Sequence, residues 1–147
     1  HVREAETEKC NCGGKGCLEQ ISSATGIVRE AKRLLEKKKD TSRLALIEDL
    51  TAKDVLDAAK AGDKLAIEVV DIVAKYLGIA LSHIAMVVDP DIFVIGGGVS
   101  KAGDFLINKI REKFIYYTPI TKNKADIVLA KLGNDAGIYG AAKLVIA

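Results

Sequence analysis

No cysteine occurs in this 147-residue chain outside residues 10–17, and the three found there cannot all pair with one another. A disulfide framework would leave one thiol over. The chain also lacks a charge excess: 22 Lys+Arg against 20 Asp+Glu leave a formal +2. Such a balance gives no electrostatic case for binding nucleic acid or an anionic membrane. No apolar run reaches the roughly 18 uncharged residues that a bilayer-spanning helix needs. The longest candidate, residues 77–88, is interrupted by Ser82 and His83. Neither a signal peptide, an internal repeat, a low-complexity tract, a G-x-G-x-x-G fingerprint nor a P-loop is present. The one dense basic run, Lys37-Lys38-Lys39, is bracketed by Glu36 and Asp40 and reads as a solvated helix end. What remains is about half hydrophobic residues (49%), enough for one soluble globular unit with a substantial core.

The cysteines themselves are the most informative feature present. They form Cys10-Asn11-Cys12-Gly13-Gly14-Lys15-Gly16-Cys17, with His1 nine residues upstream. Three thiolates and an imidazole make a full tetrahedral zinc set, and the glycines allow the tight turns that would bring the sulfurs together. The alternative is a loop of buried or reactive thiols. A metal-type cluster with no other cysteine suits a reducing cytoplasm.

Along the chain, residues 1–17 read as a knuckle and 18–88 as a helical region. Residues 91–147 read as a β-α-β-α segment, the whole being a single incomplete domain. Apolar residues from Ile21 to Leu35 recur at three- and four-residue steps, predicting one helix from Leu18 to about Lys38. Thr51 with Asp54 forms a capping-box pattern. Asp63 caps a long helix to about Val87 that is apolar on nearly every face and is expected to lie between layers. His83, inside it, reads as a core histidine. Ile92 to Ile95 reads as a buried strand, 101–114 as a helix, Asp126 to Ala130 as a second strand and 137–144 as a final helix. Alternation of strand and helix implies a parallel sheet with a crossover. Two strands alone make a marginal sheet, and the chain opens on His1 rather than methionine. Both features lead us to expect further sequence upstream.

Three motifs stand where chemistry could occur. Gly96-Gly97-Gly98 ends the first strand, a place where bare backbone N–H groups commonly meet nucleotides or phosphates. Such triplets are also ordinary tight turns. Gly133-Asn134-Asp135-Ala136-Gly137 makes a second turn on the same sheet edge, where Asn134 or Asp135 could cap the last helix. Glu19 opens a helix directly after the last thiol, where the helix dipole favours a carboxylate with or without a function.

Taken in order, Cys-x-Cys-Gly-x-x-Gly-Cys-x-Glu preceded by a histidine, Ser23-Ala24-Thr25-Gly26-Ile27-Val28-Arg29, Val94-Ile95-Gly96-Gly97-Gly98-Val99-Ser100 and Leu132-Gly133-Asn134-Asp135-Ala136-Gly137 resemble the ROK family of repressors and sugar kinases over the whole chain. The resemblance implies the carboxy-terminal part of an actin-like ATPase (ribonuclease H-like) α/β domain, helix-rich with few strands. It implies ATP- and Mg2+-dependent phosphorylation of a hexose, most of all glucose, with a sugar-responsive repressor as the alternative. His1, Cys10, Cys12 and Cys17 match zinc ligands that are structural, since four protein ligands leave no place for water. His1 and Glu19 match sugar-binding residues, and Gly96, Gly97 and Gly98 match the turn lining the ATP site. The phosphate loop and the general base lie upstream of residue 1 in the family pattern, so no catalytic residue is expected here and the chain alone is expected to be inactive. Expected partners are a hexose, ATP, the missing amino-terminal half and a second copy, with neither membrane nor, for a kinase, nucleic acid.

Overall fold

The computed structural model describes residues 2–38, 42–97, 103–119 and 125–146. His1, Gly98, Val99 and Ser100 lie outside them. The cysteine segment, 2–17, is irregular, and the expected helix from Leu18 comes in two pieces: α1 (Glu19–Ser22) and α2 (Ala24–Lys37). Ser23 is the break. Its backbone is extended, and its Oγ accepts from the Gly26 N–H at 3.0 Å, which caps α2. A serine hydroxyl satisfies a free N–H better than it tolerates a helix interior. The apolar spacing runs through this interruption unbroken and so conceals it.

A 3-10 turn, Arg43–Leu46, leads to α3 (Ala52–Lys60), which begins at the capping box formed by Thr51 and Asp54. Gly62 then reverses the chain at φ 88°, and Asp63 caps α4 (Lys64–Val88) by accepting from Ala66 N–H at 3.0 Å. Asp89, at φ 48°, ends that helix before Pro90. Then come β1 (Ile92–Ile95), α5 (Asp104–Tyr117) and β2 (Asp126–Leu129). The strands pair in parallel, with Ile92 opposite Asp126 and Ile95 opposite Leu129. A second 3-10 turn, Gly133–Asp135, opens α6 (Ala136–Ile146).

One core joins α2, α3, α4, α5 and the inner face of the sheet. Ile27, Val55, Val69, Val73, Ile110, Phe114 and Ile127 are all buried within it. Phe93 meets Phe114 edge to face at 5.8 Å, which ties β1 to α5. The crossing of α4 on α5 is closest at Gly78. A Cβ there would lie 2.7 Å from Lys113 Cβ and 2.9 Å from Phe114 N.

Three expectations need correction. His83 is exposed, not a core residue. The helix containing it is buried along one face only: Val69, Val73 and Leu81 point inward, while Met86, Val87 and Val88 near its end are open. In β1, Phe93 and Ile95 face the helices, but Ile92 and Val94 are half-exposed or more. For β1 the cause is that, among the described residues, helices cover one side of the sheet and nothing covers the other; α4 packs on α2, α3 and α5 along one face and leaves the opposite face, with His83, open. α6 follows suit, being rich in apolar residues yet burying none.

Replacing Gly78 by alanine should lower stability by about 1–3 kcal/mol, since the neighbours of the added methyl are α5 backbone that can yield only by moving the helix. A chemical denaturation midpoint that falls with an unchanged slope would show this, and an unchanged midpoint would contradict the close crossing.

Candidate metal and substrate site

The cysteine loop is closed by its own backbone: Cys10 N–H donates to Gly14 O at 2.7 Å and Gly13 N–H to Cys10 O at 2.8 Å. Its far end meets the start of the chain, where Val2 N–H donates to Gly16 O at 2.7 Å. Gly16 is obligatory there. It has φ 70°, and a Cβ would fall 2.0 Å from the Arg3 carbonyl oxygen.

These turns bring the three sulfurs within 4.8 Å of one another, with Cys12 and Cys17 Sγ 3.5 Å apart. Four ligands at the Zn–S length of about 2.3 Å would place sulfurs about 3.8 Å apart, so the donor set fits a tetrahedral metal ion. The hydrogen bond between Cys12 and Cys17 and the sulfur of Cys10 nearby push the Cys17 thiol up to about 11. Cys12, receiving the Gly14 N–H and its neighbours' thiols, is lowered. Glu19 belongs to the same cluster: Cys10 Sγ donates to its Oε2 at 3.4 Å, and its carboxylate is exposed. A polar cleft of 280 Å³ opens beside Glu19 and Cys10, walled further by Lys9, Asn11, Thr25 and Arg29. A second cleft, 640 Å³ between α4 and α5 with Ile72, Lys75, Tyr116 and Tyr117, is larger but contains none of the candidate residues. The candidate residues Cys10 and Glu19 thus line the smaller cleft.

What docks this loop on the body of the protein is a set of charges that sequence reading passed over. Arg33 holds Glu6 through two bonds, at 2.6 and 2.8 Å, and Arg3 holds Glu30 through two more, at 2.7 and 2.9 Å. Arg33 also reaches Glu30 at 3.1 Å and Glu8 at 3.0 Å, and Arg29 reaches Glu8 at 3.4 Å. Arg3 stacks on Tyr76 of α4 with 4.9 Å to the ring centroid. Glu6 and Glu30 are buried. The Arg33 guanidinium, outweighing burial, holds the Glu6 carboxyl down to about 2. The available signal was Arg29 and Arg33, one turn apart on α2, facing two glutamates just upstream of the thiols.

Of the other candidates, Gly96 and Gly97 stand at the carboxyl end of β1, on a separate element, with Gly97 at φ 76°. The structure thus brings Cys10, Cys12, Cys17 and Glu19 together, while Gly96 and Gly97 stand apart from them at the end of β1. His1 and Gly98 lie outside the described residues.

The sequence model of the ROK family matches residues 1–147, and the chain belongs to that family. It is 49% identical over 141 residues to the glucokinase of Halalkalibacterium halodurans, covering 92% of this chain and 42% of that protein. It superimposes with a TM-score of 0.84 on a ROK glucokinase from Streptomyces griseus, solved with glucose and AMPPNP. That match has 31% identity and covers 98% of this chain and 49% of that one. The N-acetylglucosamine repressor of Escherichia coli O6:H1 is 36% identical over 70% of this chain and 25% of its own length. The fold is that of the ROK sugar kinases, the actin-like ATPase type. The chain spans about half the length of the glucokinases it matches.

Two outcomes are expected of this site. Adding Zn2+ to metal-free protein at pH 8 should release at least one proton per ion, because the Cys17 thiol is protonated there; uptake without proton release would exclude thiolate ligation. Glu6 titrates below the ordinary 4.5, so its contribution is complete above pH 4.5 and lost as pH falls toward 2. The stability gap between wild type and Glu6→Gln should close over that window, and a constant gap would remove Glu6 from the network.

Proposed function

We propose that the chain is part of an ATP-dependent hexokinase acting on glucose, to which it contributes the sugar-orienting carboxylate and part of the nucleotide site. The observation that carries this reading is the position of Glu19, held beside three convergent thiols on a fold that superimposes on a glucokinase solved with glucose and AMPPNP. An ionised carboxylate accepts hydrogen bonds from two sugar hydroxyls at once and makes charge-assisted bonds with both. The turn at Gly96, Gly97 and Gly98 would present N–H groups to ATP, with Mg2+ accompanying its phosphates.

The residues fit zinc as the metal. Cys10, Cys12 and Cys17 supply thiolates, and His1 is the fourth ligand we infer. In support, its neighbour Val2 is hydrogen-bonded to Gly16, which precedes Cys17. A closed set of four protein ligands makes the role of zinc structural. No group among the described residues of the site is assigned as general base. We assign that proton transfer to the remainder of the protein, for which the exposed apolar residues of α6 and the open face of β1 are the docking surface. The functional enzyme is then a cytoplasmic protein that includes an amino-terminal half and assembles as a homo-oligomer.

The full-length protein, assayed with ATP over a panel of hexoses, should phosphorylate glucose. Glu19→Gln should reduce kcat/KM for the hexose by roughly 10- to 100-fold, the loss of a charge-assisted hydrogen bond. No turnover of any hexose, or a wild-type rate in the variant, would defeat the assignment; a hexose-dependent DNA affinity without turnover would point to the repressor class. Metal analysis should find about one zinc per chain, against which a folded, metal-free preparation would count.

A further inference from the structure

The cysteine loop and Glu19 are joined by a ring of hydrogen bonds that neither a metal nor a substrate requires. Gln20 is buried, 3% exposed. Its Oε1 accepts from the Cys17 N–H and its Nε2 donates to the Glu8 carbonyl, both at 3.2 Å. A single amide thus bridges the segment leading into the thiols and the last thiol itself. Arg29, on α2, joins the same residues from outside: Nη2 donates to the Gln20 carbonyl and Nη1 to the Glu8 carboxylate at 3.4 Å. Glu8, Gln20 and Arg29 close a three-membered ring that includes the residue next to Glu19.

We propose that Gln20 and Arg29 are positioning residues for Glu19, setting its carboxylate in register with the cysteine loop; this rests on the reading of Glu19 as a sugar ligand. The reason lies in the size of α1. Four residues make one turn, which has no helical cooperativity to hold it. Neighbouring residues on a helix differ by about 100° in direction, so a small rotation of that turn swings Glu19 away from where it must meet a hydroxyl. A metal would fix Cys17 but not the orientation of the turn that follows. The Gln20 amide does this through its two ends, a combination of donor and acceptor that an ionised glutamate lacks. Arg29 completes it by occupying a carbonyl that so short a helix leaves unpaired.

The test is made on the full-length protein, with kcat, hexose KM, ATP KM, zinc content and melting temperature measured for Gln20→Leu, Arg29→Met and Arg29→Lys beside Glu19→Gln. Gln20→Leu and Arg29→Met should each raise the hexose KM about tenfold, leaving kcat and the ATP KM within about twofold and zinc content unchanged. Arg29→Lys should recover most of the affinity. A wild-type hexose KM in Gln20→Leu and Arg29→Met, with Glu19→Gln impaired, would overturn the clamp and leave the sugar assignment standing. An unimpaired Glu19→Gln would bring down both. Loss of zinc, or equal losses for hexose and ATP, would assign these residues to general structure and overturn the proposal. Should Gln20→Leu fail to fold, the Arg29→Met and Arg29→Lys pair decides by the same criteria.

Discussion

Residues 2–17 have no apolar face to bury, and they stay on the protein because Glu6 and Glu30 are neutralised under arginines. A buried carboxylate without its partner costs several kcal/mol, so the network is all or nothing. With Arg33 on Glu6 and Arg3 on Glu30, an irregular segment takes a defined course over α2 and α4. The closed loop of thiols, the contact of Gly16 with the chain's beginning and the orientation of α1 all follow from that docking. The geometry of the site is set by ion pairs at some distance from the chemistry they serve.

This arrangement explains how a metal centre and a sugar-binding carboxylate could share one small region without competing. The thiols converge on one another, while Glu19 lies at their edge beside an open polar cleft. A metal held by the cluster would rigidify the loop that carries Glu19, and the ring through Gln20 would transmit that rigidity to the carboxylate. The other half of the proposed chemistry, at Gly96 and Gly97, depends on a different device, the end of a parallel strand supported by α5.

Much of the architecture was legible. Thr51 with Asp54, Asp63 as a cap, the reversal at Gly62 and the two parallel strands each have a local cause: a hydroxyl or carboxylate meeting free N–H groups, a positive φ, or a β-branched run between turns. Three features were not legible for reasons equally physical. The break at Ser23 is a competition between a cap and continuing periodicity that only the packing of α1 resolves. His83 and the outward side of β1 read as core because periodicity reports apolarity but not what covers it. The arginine–glutamate lattice was hidden because its partners are 27 residues apart, beyond any local pattern.

By itself the sequence determined the thiol set, the caps, the strands and their glycine turns, since each depends on residues within a few positions of one another. Only the tertiary structure decided where these parts meet. It placed Glu19 beside Cys10, opened a polar cleft next to them, and closed the ring of Glu8, Gln20 and Arg29. Long-range ion pairs and the burial of Gln20 made those choices, and neither exists until the chain has folded.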